Sequence, residues 1–130
     1  MPSRKERGYA TERKLVLYLW KKGYKVFRIP MSGSRSSKLT KSALPDIFAI
    51  NKRTNTIIAF EVKGTSKDYV VVPKYQVKKL FDFVNAFPSS ILKKCIVAVY
   101  FHKYKHWVFH EVKEPEAIRI HYKDSSNIEI

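Results

Sequence analysis

Apolar positions along the chain keep two different periods, and the switches between them mark the elements. From Tyr9 to Lys22 the residues Leu15, Val16, Leu19 and Trp20 fall at i, i+1, i+4 and i+5, the rhythm of a helix with one buried stripe. Gly23 is placed to end it. Lys25-Val26-Phe27-Arg28-Ile29 alternates charge and bulk as a short strand does, and Pro30 closes it. Met31 to Leu44 is rich in Ser, Gly, Lys and Arg and has no apolar period, which predicts a mobile basic loop across the surface. Loops of that length are usually functional or disordered.

Two runs of β-branched and aromatic residues follow, Asp46 to Ile50 and Thr56 to Lys63, joined by the polar link Asn51-Lys52-Arg53-Thr54-Asn55, the pattern of a β-hairpin. After the short run Tyr69-Val70-Val71-Val72, Pro73 precedes a second amphipathic helix with Val77, Leu80, Phe81 and Val84 on one face, expected to end near Phe87-Pro88. Cys95 to Phe101 and His106 to Val112 are two further strands with a hairpin turn at His102-Lys103-Tyr104-Lys105, and Ala117 to Tyr122 carries a weak edge-strand signal. The order α-β-β-β-α-β-β predicts an α/β domain, a mixed sheet of about five strands flanked by helices. The 130 residues suffice for one core, and no repeat, low-complexity segment or linker divides them.

Charge changes the picture. Lys and Arg number 26 against 11 Asp and Glu, a net +15, while 45% of residues are hydrophobic. A folded domain with so strong a positive field points to nucleic acid ahead of an anionic membrane surface, because its basic residues are interleaved with folded segments and not collected on one amphipathic helix. No run approaches the roughly 20 apolar residues of a membrane span, and Met1 to Arg7 does not lead into an apolar signal region, so a cytoplasmic protein is expected. Cys95, the only cysteine, lies in an apolar run and reads as a buried structural thiol; neither an intramolecular disulfide nor a cysteine zinc site can form. His102, His106 and His110 are spaced by four, but in a hairpin, where His106 and His110 are a surface pair; with His121 they give little support to a zinc site.

Within this basic background the few carboxylates are informative. Asp46 opens one strand of the predicted hairpin, and Glu61 and Lys63 stand near the end of the other. Alternation puts Glu61 and Lys63 on one face with Val62 on the opposite one, and antiparallel pairing brings Asp46 beside Glu61. Two close carboxylates repel unless a cation lies between them, and oxygen-only ligands favour Mg²⁺, with Mn²⁺ as a substitute. Such an ion polarises a phosphate, and Lys63 can hold the attacking water or neutralise the developing charge. Glu12, the only acidic residue between Arg7 and Asp46, is a third metal-ligand candidate. Each residue also has a bland reading: an exposed Glu61–Lys63 pair worth about 0.2–1 kcal/mol, a turn aspartate, a helix-surface glutamate. Their scarcity and their convergence favour the metal site.

Pro45-Asp46 with Glu61-Val62-Lys63, fifteen positions on, resembles the PD-(D/E)xK signature of restriction-endonuclease-like nucleases. Together with Arg7-Gly8-Tyr9-Ala10-Thr11-Glu12-Arg13, Gly23-Tyr24-Lys25-Val26-Phe27-Arg28 and Ser32-Gly33-Ser34, it resembles the archaeal Holliday junction resolvases from about Arg4 to about Val112. The resemblance implies a metal-dependent cutting site of Glu12, Asp46, Glu61 and Lys63, with Arg28 and Ser32 handling the phosphate or the attacking group. It also implies a homodimer that cuts opposed strands of a four-way DNA junction. Contacts to nucleic acid are expected from Arg4, Lys5, Arg7 and Arg13 in the opening segment, from Ser34, Arg35, Lys38 and Lys41 in the basic loop, and from Gln76 at the start of the second helix. The tail from Lys123 to Ile130 has no counterpart among these motifs. Two other readings stay open: a restriction or repair nuclease of the same superfamily, and a non-catalytic basic DNA-binding protein.

Overall fold

A computed structural model describes residues 4–29 and 44–130, with the side chains of residues 4–7 left aside. In chain order the elements are α1 (Arg4–Lys21), β1 (Lys25–Arg28), β2 (Ile47–Asn51), β3 (Thr56–Thr65), β4 (Tyr69–Val72), α2 (Lys74–Val84), β5 (Leu92–Phe101), β6 (His106–Glu111) and β7 (Ile118–His121). Five strands form one sheet in the order β1-β2-β3-β5-β6. The pair β3–β5 is parallel, with β4 and α2 in the crossover, and the other three pairings are antiparallel. This is the mixed five-stranded sheet that the sequence pattern predicts, with helices against it.

β3 and β5 are the central strands and lie buried on both faces, which is why they read as nearly continuous apolar runs instead of alternating ones. Ile57 and Ala59 of β3 and Cys95, Val97, Val99 and Phe101 of β5 pack with Val77, Leu80 and Val84 of α2. Ile58 and Phe60, with Ile96 and Ala98, pack on the opposite face with Leu15 and Leu19 of α1. The Cys95 thiol is buried, and burial, with a smaller push from Glu111, lifts its pKa to about 12, consistent with an inert structural residue.

The buried stripe of α1 is narrower than its apolar pattern suggests. Thr11, Leu15 and Leu19, at i, i+4 and i+8, form the buried seam, while Trp20 is 67% exposed and Val16 half-buried. One step along the helix turns a side chain by about 100°, which carries Trp20 away from the sheet. The helix stops as its sequence indicates: Gly23 at φ 95° lets the Tyr24 N–H reach the Leu19 carbonyl and the Gly23 N–H reach that of Trp20, a Schellman cap.

Three features differ from the sequence pattern. Helix α2 ends at Val84, and turn hydrogen bonds carry the chain on to Phe87. Tyr69–Val72 and Ile118–His121 pair with each other in a separate two-stranded antiparallel sheet, so the weak C-terminal strand is an edge of β4 and not of the main sheet. The last residues run along β6: the Phe109 N–H donates to Ser126 Oγ, Asn127 brackets the Glu111 backbone, and Ile128 and Ile130 join the α1-side core. That tail covers a sheet edge that would otherwise present unpaired backbone groups.

Gly64 marks where α1 meets the end of β3. A Cβ there would stand 2.7 Å from both Thr11 Oγ1 and His102 Nε2. Thr11 is buried in the seam and has no room to give. Gly64→Ala is therefore expected to lower unfolding free energy by about 1–3 kcal/mol, measured by chemical denaturation.

Candidate active site

Asp46, immediately before β2, is fixed by backbone hydrogen bonds. Its N–H donates to the Phe60 carbonyl at 3.1 Å, and its own carbonyl accepts from the Ile29 N–H at 2.9 Å. The β2–β3 register pairs Ile47 with Phe60, so one step further out Asp46 stands opposite Glu61, as the hairpin geometry predicts. The side chain closes the arrangement: the Val62 N–H donates to Asp46 Oδ2 at 2.8 Å.

Glu61 is buried, only 3% exposed, and lies on the α2 face of the sheet with Lys63. Two ammonium groups attend it. Lys63 Nζ is 3.5 Å from Oε2, and Lys79 Nζ, from α2, is 2.9 Å from Oε1. The Lys79 contact is an ion pair lying outside hydrogen-bond alignment. Burial raises the Glu61 pKa above the usual carboxylate value of 4.5, the charge of Asp46 raises it further, and Lys79 and Lys63 oppose the shift.

Glu12 approaches from the other side of the sheet. Arg28 and Val26 of β1 face α1, and the Arg28 Nε donates to Glu12 Oε1 at 2.7 Å while its guanidinium lies 4.3 Å from the centre of the Tyr9 ring. The Glu12 pKa is also raised above 4.5, first by burial, against the Arg28 hydrogen bond, with a further upward push from Asp46. Asp46 is thus the electrostatic link between Glu12 on one face and Glu61 on the other. Each of the three carboxylates has an oxygen met by a cation or a backbone N–H: the Arg28 guanidinium on Glu12, the Val62 N–H on Asp46 and the Lys79 ammonium on Glu61. Such outer contacts orient carboxylates that bind metal ions, and an all-oxygen donor set fits a hard divalent cation. Among the described residues, no three acidic, histidine or cysteine side chains are already gathered to hold an ion; Asp46 and Glu61 form the pair, with Glu12 tethered nearby by Arg28.

Of the remaining residues singled out by sequence, Arg13 is exposed on α1 beside Glu12, and Arg4, Lys5 and Arg7 belong to the first turns of that helix. Ser32, Ser34, Arg35, Lys38 and Lys41 lie outside the described residues. Gln76 is half-buried: its Nε2 donates to the neighbouring Tyr75 hydroxyl at 3.3 Å, and its buried Oε1 accepts no hydrogen bond among the described residues. His106 serves the fold, its Nε2 lying 2.9 Å from the Tyr122 carbonyl. Sequence reasoning missed Lys79. The signal that points to it is the row Gln76, Lys79, Phe83 at i, i+3 and i+7, flanking the buried stripe of α2. Within 26 basic residues that row does not stand out.

The buried Glu61 carboxyl has a pH consequence. A carboxyl with a raised folded pKa contributes stability that is present below its unfolded value and lost as pH climbs through the folded one. Glu61→Gln removes that loss. In EDTA, its thermal midpoint relative to that of the wild type is expected to rise by about 2–5 °C from pH 4.5 to pH 8. Calorimetry at the two pH values provides the measurement.

Comparison with known proteins gives the family of the chain. The family model described as archaeal Holliday junction resolvase (Hjc) matches residues 3–130, so the likeness runs past Val112 and takes in the tail for which the motifs alone give no counterpart. A crossover junction endodeoxyribonuclease of Sulfolobus islandicus rod-shaped virus 1 is 39% identical over 85% of this chain and 84% of its own length. The crossover junction endodeoxyribonuclease Hje of Saccharolobus islandicus is 35% identical over 94% of this chain and 84% of its own. Among solved structures, Hjc of Archaeoglobus fulgidus, a Holliday junction resolvase, superposes with a TM-score of 0.65 at 25% identity, covering 88% of this chain and 84% of that one. With its mixed sheet and its acidic pair at the mouth of the β2–β3 hairpin, the chain belongs to the archaeal Holliday junction resolvase family.

Proposed function

We propose that this protein is a Mg²⁺-dependent endonuclease that hydrolyses phosphodiester bonds in four-way DNA junctions, working as a homodimer in the cytoplasm. The observation that carries the reading is the set Asp46, Glu61 and Lys63 at one sheet end, with Asp46 Oδ2 held by the Val62 N–H and Glu61 Oε1 paired with Lys79. Asp46 and Glu61, joined by Glu12, would hold the ion. When bound, a divalent cation supplies the positive charge that polarises the scissile phosphate and stabilises an in-line displacement.

The chain's own groups perform the rest. Lys63 Nζ, partly open to solvent, positions the attacking water or a phosphate oxygen beside Glu61. The water oxygen bonds to phosphorus and gives up a proton to solvent or a neighbouring base, the phosphorus bond to the leaving oxygen breaks, and that oxygen takes a proton from solvent to leave as a hydroxyl. Arg28, neutralised in part by Glu12 and stacked on Tyr9, offers its remaining guanidinium donors to phosphate, and Ser32 is assigned the same role. The basic residues Arg4, Lys5, Arg7, Arg13, Arg35, Lys38 and Lys41, with Ser34 and Gln76, are assigned to the DNA backbone. Past Lys63, β3 leads to a cleft of about 720 Å³ whose described lining includes Lys14, Lys67 and His102, a suitable track for a strand leaving the site.

The homodimer reading is supported by an aromatic ladder on the α2 face. Phe27 stacks on Phe48 at 4.8 Å, Phe48 meets Phe83 at 5.3 Å, and Phe83 meets Phe87 at 5.4 Å. Phe27 is 45% exposed on the edge strand β1, so the ladder opens to the surface. An exposed apolar patch of this kind suits an interface between two copies of the chain.

Cleavage of a synthetic four-way junction, set against linear duplex of the same sequence, tests the proposal. The wild type should cut the junction preferentially in Mg²⁺ and not in EDTA, and Glu61→Ala and Asp46→Asn should each cut at least about 100-fold more slowly while still binding it. Salt-sensitive binding without cleavage at any Mg²⁺ concentration would instead identify a DNA-binding protein. For the dimer, Phe27→Glu should shift sedimentation from dimer to monomer; an unchanged dimer would remove the ladder from the interface.

A further inference from the structure

Helix α2 carries two adjacent lysines in unlike settings. Lys78 is 60% exposed and pairs with Asp82 one turn along the same helix at 3.0 Å. Such an i, i+4 pair is a surface contact of little energetic weight. Lys79 turns inward: its side chain is only 13% exposed and its ammonium lies 2.9 Å from Oε1 of the buried Glu61. Drawing a lysine out of water is costly unless the charge meets a partner. Buried ion pairs can often be replaced by neutral packing without loss of stability, so the charge itself requires explanation.

The two oxygens of Glu61 are treated differently. Lys79 takes Oε1 from the helix side, and Oε2 faces Lys63 at the longer distance of 3.5 Å. The Asp46 carboxylate is divided in the same way, with Oδ2 held by the Val62 N–H. A carboxylate with one oxygen anchored loses rotational freedom about its last torsion and presents the other oxygen in a fixed direction. Lys79 comes from α2 and not from the hairpin, so it ties the orientation of Glu61 to the packing of the helix on the sheet through Val77, Leu80 and Val84.

We propose that Lys79 is a positioning residue for Glu61: it anchors Oε1 from helix α2 and so keeps Oε2 aimed for the divalent ion, without itself touching metal or DNA. This rests on the reading of the site as a metal-dependent nuclease. Removal of the anchor leaves Glu61 free to rotate, and metal affinity falls while affinity for the junction stays.

The test uses the full chain with Lys79→Ala, Lys79→Gln and Lys79→Arg, each checked for folding by its thermal midpoint. Mn²⁺ affinity is measured calorimetrically on DNA-free protein, junction affinity by gel shift in EDTA, and cleavage as a function of Mg²⁺ concentration. For Lys79→Ala and Lys79→Gln the Mn²⁺ dissociation constant and the Mg²⁺ concentration giving half-maximal cleavage should both rise about 10–100-fold. Junction affinity should change less than about twofold, well under the effect of a lost phosphate contact across a salt series. Lys79→Arg, which restores a cation at that place, should recover most of the loss. Unchanged or tighter Mn²⁺ binding by the folded Gln variant would overturn the proposal, tighter binding meaning that Lys79 merely balances charge. A loss of junction affinity matching the loss of cleavage would overturn it too, by making Lys79 a DNA contact. Should wild-type protein bind Mn²⁺ and leave junctions uncut, the nuclease reading fails while the effect of Lys79 on Mn²⁺ affinity is still read directly.

Discussion

The structure turns on the antiparallel pairing of β2 with β3 and on the one step by which it continues past the strand end. Asp46 donates its N–H to the Phe60 carbonyl and accepts the Val62 N–H on its side chain, so backbone and carboxylate together lock the register. A slip of one residue would turn Glu61 and Lys63 to the α1 face and send Ile58 and Phe60 to the α2 face. Both cores would then be lost along with the site. The same pairing therefore fixes the fold and the candidate site, and the acidic pair continues a ladder whose inner pairs, from Ile47–Phe60 to Ile50–Ile57, are apolar.

That arrangement burdens the protein with charge it must manage. Asp46 acts on both Glu12 and Glu61 across the end of a sheet, and the pKa of each is raised from 4.5, first by burial and then by Asp46. Each carboxylate is answered by a group from a different element: Arg28 of β1 for Glu12, the β3 backbone for Asp46, the Lys79 ammonium of α2 for Glu61. Elements remote in sequence are drawn to one place because like charges at short range need local compensation. Functional sites are where such costs concentrate, and the apolar faces of β3 and β5 supply the stability that offsets them.

The periphery follows from the same frame. Gly64 lacks a side chain because α1 and the β5–β6 turn close over it, which brings the helix bearing Glu12 against the strand bearing Glu61. The tail seals the β6 edge through Ser126 and Asn127. The β4–β7 pair forms its own two-stranded sheet, with β4 leading directly into α2.

The sequence by itself determined the mixed sheet, the hairpin and the meeting of Asp46 with Glu61 and Lys63. Each of these depends on periods of two and 3.6 residues and on local turn chemistry, which are short-range properties of the chain. Its motifs were also enough to suggest the resolvase family. Tertiary structure alone decided that Trp20 faces out while Thr11 faces in, that Ile118–His121 pairs with β4, that Arg28 grips Glu12, and that Lys79 reaches Glu61. Those outcomes are set by where separate elements land on one another. Neither hydrophobic period nor charge count encodes that placement, and in so basic a chain one inward lysine is indistinguishable from its solvated neighbours until the helix that carries it is docked.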